Sequence, residues 1–192
     1  MQERERIQPA SRAELRQWLR QHHADSPGVW VVHPKVRSGI AGPGYEELVE
    51  EALCFGWIDS VVHPVPEPGL TSQYISPRKA GSIWARTNTV RLERLFAAGL
   101  MEPAGIAVVD RAKADGSWTL LDDVEDHVIA PDLADAFAAV PGSRTKFGAL
   151  SESVQERVLY WISSMKRPAT RAAHIAAVVE AAGRGTYPSA LG

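Results

Sequence analysis

Every strand-like run of this chain falls within its first 76 residues. VWVVH (29–33), WIDSVVH (57–63) and LTSQYIS (70–76) are short β-branched and aromatic runs bounded by glycine and proline clusters. The last two flank HPVPEPG, a proline-stiffened connection, so an antiparallel hairpin is the economical pairing. Apolar periodicity is helical between the first two runs and again beyond residue 86, and past about residue 120 it is helical only. These runs predict an α+β fold, a small antiparallel sheet packed with helices and followed by an all-helical C-terminal region. The change of pattern divides the chain into a mixed core over 1–125 and a helical region over 126–192, expected to pack on the core as one unit.

The helix boundaries have local signatures. Ser11 with Glu14 three residues on forms a capping box before Leu15, Trp18 and Leu19, predicting a helix over 11–23. GYEELVEEALCFG carries glutamates in its first turn, an apolar stripe of Leu48, Val49, Ala52 and Leu53, and a stop at Gly56. TNTVRLERLFAAG and EPAGIAVVDRAKADG read as consecutive helices stopped at Gly99 and Gly116, with Pro103 in a first turn. After the acidic loop LDDVEDH come segments at 131–140, 151–165 and 168–182. Lys166 and Arg167 close the second of these, where cations suit the helix dipole.

Composition excludes several classes. The 192 residues carry a net charge of -2, which calls for neither nucleic acid nor an anionic membrane. No run approaches the roughly 18 apolar residues of a membrane span, and MQERERIQPA lacks a signal-peptide core, so a cytoplasmic location is expected. One cysteine, Cys54, makes no intrachain disulfide and reads as a small core hydrophobe. The six histidines form no ligand spacing and DDVED is no calcium loop, so no metal is expected. No glycine-rich nucleotide fingerprint occurs, and no cofactor is expected.

ISPRKAGSIWARTN (75–88) concentrates the candidate binding residues. Ser82 or Thr87 is placed to cap the helix that follows, aiming free backbone N–H groups outward. Arg78, Lys79 and Arg86 surround that spot, Trp84 supplies a flat wall and Asn88 a two-way hydrogen-bonding group. A carboxylate, phosphate or sulfate suits such a place. The competing reading is a solvated basic turn whose tryptophan plugs the core. As a surface cation, Arg78 should be replaceable by alanine for about 0.5 kcal/mol. Strict alternation along WIDSVVH puts Trp57, Asp59 and His63 on one face, an acid and an imidazole beside a tryptophan. Asp59 then reads either as a catalytic base with His63 or as a brace paired with Arg78 or Arg86. The hairpin, with Trp57 opposite Ser76, brings Asp59 towards Arg78.

The order of SPGVWVVHPK, YEELVEEALCFGWID, SPRKAGSIWARTN, RLERLFAAGLMEPAG and YWISSMKRPATRAAHI resembles the YdeI or OmpD-associated family, the bacteriocin-protection proteins. Ser60 and Ala85 stand where that family usually shows glycine and a second serine, while its asparagine is kept as Asn88. The resemblance implies tolerance of toxic peptides or stress and no particular reaction. Three functions are consistent with these residues. The first is a cytoplasmic protection protein binding a small-molecule or peptide ligand, of which an anionic one suits the cations, in a cleft of Trp57, Arg78, Lys79, Ser82, Trp84, Arg86 and Asn88. The second is a hydrolytic detoxifying enzyme with Asp59 as general base and His63 as partner. The third is a nucleic-acid-associated regulator using Arg78, Lys79, Arg86, Arg91 and Arg94, against which the net charge counts.

Overall fold

The computed structural model describes residues 5–165 and 167–191; Lys166, expected to close a helix, lies outside the described residues. The chain divides into two compact units, one running through Trp118 and the other from Thr119. The first holds β1 (Arg6–Ile7), α1 (Arg12–His22), β2 (Val29–Pro34), α2 (Tyr45–Cys54), β3 (Trp57–Pro64), β4 (Leu70–Pro77), α3 (Arg86–Ala97) and α4 (Pro103–Asp115). The second holds α5 (Asp122–Glu125), α6 (Pro131–Ala138), α7 (Ser143–Gly148), α8 (Glu152–Ser163), α9 (Pro168–Gly183) and a 3-10 turn at Ser189–Leu191. The fold is therefore α+β with a helical C-terminal region.

The sheet order is β1-β2-β4-β3. β4 pairs antiparallel with both β2 and β3, as the hairpin requires, and β1 adds in parallel beside β2. The sheet is thus mixed rather than purely antiparallel. Two residues are too few to show a period, which is why β1 is invisible in the sequence. The β3 and β4 register sets Trp57 opposite Pro77, one residue away from the expected Ser76. Between Asp59 and Val62 the register slips, three residues of β3 spanning what two residues of β4 span from Ile75 to Gln73. This is a β-bulge, and it decides which side chains meet.

Local chemistry explains the helix ends. Ser11 Oγ accepts the Glu14 N–H at 3.2 Å, while the Glu14 carboxylate accepts from the Ala10 N–H at 2.7 Å. In α2 the Glu47 carboxylate accepts from the Gly44 N–H at 3.0 Å, and Gly56, at φ 75°, turns the chain out of the helix into β3. The acidic LDDVEDH, expected as a loop, makes the single turn α5. The six-residue α7 falls between the predicted segments because it is too short to show helical periodicity.

In the first unit Leu15, Leu19, Leu48, Leu53, Val29, Val31, Ile75, Trp57 and Trp84 form one buried cluster with Leu92, Leu95 and Val109. Gly105 lets α4 press on the end of α2: a Cβ there would overlap the Cys54 carbonyl, which also accepts from the Glu102 N–H at 3.1 Å. Glu51 is 1% exposed and accepts from Arg12 Nε at 2.6 Å and Arg16 Nη1 at 2.8 Å, tying α1 to α2. Burial raises the Cys54 thiol to about 11, which suits a packing role rather than a nucleophile. In the second unit Phe137, Phe147, Val158, Ile162 and Val178 form a separate core. Among the described residues no helix is long and apolar enough to cross a membrane.

Candidate functional site

The turn at 75–88 is built inward. Arg78 is 7% exposed, and its guanidinium lies 3.5 Å from the centre of the Trp84 ring while Nη1 donates to the Ile83 carbonyl at 2.9 Å. Burial pushes its pKa down to about 10, with the Asp59 charge acting the other way. Asp59 is therefore within electrostatic reach of Arg78, but no ion pair joins them among the described residues. Trp84, 2% exposed, packs at 5.2 Å from Trp118. The expected flat wall for a ligand is instead a wall for Arg78. Trp57, 1% exposed, sits edge-on to Trp18 at 6.0 Å and donates from Nε1 to the His23 carbonyl at 3.2 Å. Its faces are spent on the core, so it offers none to a ligand.

The other residues of that stretch do not converge on an open cleft. Only about 10 Å³ of space remains between Arg78, Lys79, Ser82, Trp84, Asp115 and Ser117, room for a water and not for an anion of phosphate size. Neither Ser82 nor Thr87 caps α3, whose cap is Ala85 with no side-chain bond. The Ser82 N–H closes a turn onto the Lys79 carbonyl at 3.2 Å instead. Lys79 is exposed, and Asn88 Oδ1 accepts from Arg91 at 2.9 Å. Arg86 opens α3 with a partner of its own.

A different set of residues comes together. Side chains paired across a sheet share a face, so Asp59, Gln73, Ile75, Val31 and His33 all lie on the face that α2 covers. Tyr45, the first residue of α2, donates from its hydroxyl to Asp59 Oδ2 at 2.9 Å, and Gln73 Nε2 donates to the same oxygen at 3.3 Å. Burial holds the Tyr45 phenol above its ordinary range, and Asp59 adds to the effect. Beside this cluster opens a cavity of about 370 Å³, lined by His33, Lys35, Tyr45, Asp59, Val62 and Gln73 among others. That is within the ~300 to 1,000 Å³ of small-molecule sites.

His63 is absent from this cluster because the bulge reverses its direction. It pairs with Ser72 on the opposite face and stacks on Trp30 at 4.4 Å. The acid and imidazole expected on one face thus lie on two, since strict alternation holds only where no residue is inserted. The histidine that lines the cavity with Asp59 is His33, 4% exposed, whose Nδ1 lies 3.3 Å from the Pro34 carbonyl. A carbonyl only accepts, so Nδ1 carries the proton and Nε2 bears a lone pair, buried and without a partner. Sequence reasoning missed His33, Tyr45 and Gln73. The available signal was polar residues ending or interrupting apolar strand runs, VWVVH and LTSQYIS.

Burial lowers the His33 pKa below its ordinary 6.5. The unfolded chain then binds more protons as pH drops below 6.5, so this contribution to stability is complete above that value and is lost towards the lower folded pKa. Urea unfolding at pH 7.5 and 5.5 should accordingly show a smaller acid loss in His33→Gln than in the parent chain.

An α+β unit with a polar cluster at the mouth of one cavity is the class of protein defined here. By sequence the chain belongs to the family described as Domain of unknown function (DUF8412), whose model matches residues 7–108, more than half of the chain. Residues 126–185 match the family described as Bacteriocin-protection, YdeI or OmpD-Associated, as the resemblance implied. That match covers the C-terminal helices, while the cavity lies in the stretch matched by the other family. No curated protein and no solved structure matches the chain.

Proposed function

We propose that this chain is a protection protein that binds a small molecule in the cavity beside Tyr45, Asp59 and Gln73. The observation that carries the proposal is a cavity of about 370 Å³ whose wall includes the Asp59 carboxylate and the Gln73 amide that bonds it. Sequestration of a toxic compound fits the bacteriocin-protection description of the C-terminal family.

The other two functions have less support. Hydrolysis with Asp59 as general base called on His63 as its partner, and His63 lies on the opposite face of the sheet, stacked on Trp30. A nucleic-acid surface needed a row of free cations, but Arg78 is buried, Arg91 chelates Glu46 at 2.8 Å through two nitrogens, and Arg94 bonds the same carboxylate at 3.4 Å. Val62→Trp provides the test. Val62 lines the cavity yet is 57% exposed, so a tryptophan there fills the space with little cost to folding. Fragments that bind the parent chain by saturation-transfer NMR should lose their signal with Val62→Trp. Unchanged binding to a folded Val62→Trp chain would rule the cavity out.

A further inference from the structure

We infer that the cavity takes the head group of an organic cation rich in N–H donors, an ammonium or guanidinium group. This inference rests on the binding proposal and specifies its ligand class. It follows from an inventory of donors and acceptors around the space. The Tyr45 hydroxyl is given to Asp59, and the Gln73 amide to Asp59 and, at 3.3 Å, to the Ser60 carbonyl. The Thr71 hydroxyl is given to the His63 carbonyl at 3.4 Å, the Ser60 hydroxyl to the Tyr74 carbonyl at 3.4 Å, and the His33 Nδ1 proton to Pro34. Each of these donors is spent on the protein itself.

Apart from the exposed Lys35 ammonium, what is left over accepts. The described hydrogen bonds to Asp59 fall on Oδ2, leaving Oδ1 with its lone pairs. Both nitrogen protons of Gln73 point at protein oxygens, so its own carbonyl oxygen is also an acceptor to spare. A carboxylate oxygen and an amide oxygen on one wall match a group that donates in more than one direction. An anion would meet lone pairs and a like charge there, which is a means of exclusion as well as of selection. Lys35 is the one cation of the lining; it is exposed, and it makes no ion pair with Asp59 among the described residues. At the mouth its charge is screened by water and opposes a cation only weakly. Pro34 and Val62 offer apolar surface to the rest of the molecule. The anionic ligand suggested by the cations of residues 78–86 therefore has no counterpart at this cavity.

The test is a matched series of four probes, n-butylammonium, n-butylguanidinium, n-butanol and butyrate. Each is titrated into the full chain and followed through the backbone amide signals of residues 33, 35, 36, 59–62 and 71–73. Both cations should bind about tenfold or more tighter than n-butanol, the effect of one charged hydrogen bond, with butyrate weakest. Asp59→Asn should abolish the preference for the cations, with its fold checked by circular dichroism. Lys35→Ala, at an exposed position, should tighten the cations slightly, and the ranking of the four probes on the parent chain decides if Asp59→Asn fails to fold. Equal binding of all four probes, or tighter binding of butyrate, would overturn the inference while leaving the cavity as a binding site. If no probe moves these signals, the binding proposal falls and the inference with it.

Discussion

Glu51→Ala is expected to cost about 3 kcal/mol of stability, the lower end for breaking a buried ion pair, because it leaves two half-buried guanidiniums without their shared carboxylate. Glu51 is 1% exposed and receives Arg12 and Arg16 from a neighbouring helix, with Arg12 also reaching Glu50 at 2.9 Å and Arg16 reaching Glu102 at 2.9 Å. The outer carboxylates can hold only part of each guanidinium, and Arg12 Nη2 already lacks a partner. Urea unfolding followed by tryptophan fluorescence measures the loss. A cost below about 1 kcal/mol, the range of exposed ion pairs, would show that water reaches Glu51 freely and that α1 and α2 are held by their leucines alone.

Trp84→Ala should cost a similar amount, about 3 to 5 kcal/mol, by emptying a fully packed site. Here the ring also carries Arg78 at 3.5 Å, so two variants are coupled. Arg78→Ala is expected to cost about 2 kcal/mol through loss of a desolvated cation over an aromatic face, well above the 0.5 kcal/mol of a surface cation. The double variant should cost less than the sum, by roughly 0.5 to 2 kcal/mol, since once the ring is gone the guanidinium loses its seat. Strict additivity in chemical denaturation would contradict the stacked arrangement. Neither variant should alter occupancy of the Asp59 cavity in chains that remain folded.

The sequence carries the fold further than it carries the site, and the reason is physical. Helix ends such as Ser11 with Glu14, or Gly56, depend on neighbours three or four residues away, so local reading finds them. The hairpin is likewise local. The bulge between Asp59 and Val62 is not, because the alternation of WIDSVVH is compatible with an unbroken strand and only the pairing with β4 reveals the inserted residue. That one residue turns His63 away from the face that carries Asp59. The basic turn misled for a related reason. Charge in a sequence suggests surface, yet the guanidinium of Arg78 is buried, stacked on Trp84 and donating to the Ile83 carbonyl while its Nε has no partner. Gln73, by contrast, stood in plain view as a polar residue within an apolar run, 1% exposed in the fold and directed at Asp59.

The measurement that bears most directly on the central claim is a map of amide shift changes when the tightest-binding member of a mixed-charge fragment library is titrated into the full chain. The changes should centre on residues 33, 35, 36, Tyr45, 59–62 and 71–73, around the cavity beside Asp59. Changes centred on residues 78–84 and 111–117, around Arg78 and Trp84, or on 129–144 in the second unit, would place the site elsewhere and contradict the account.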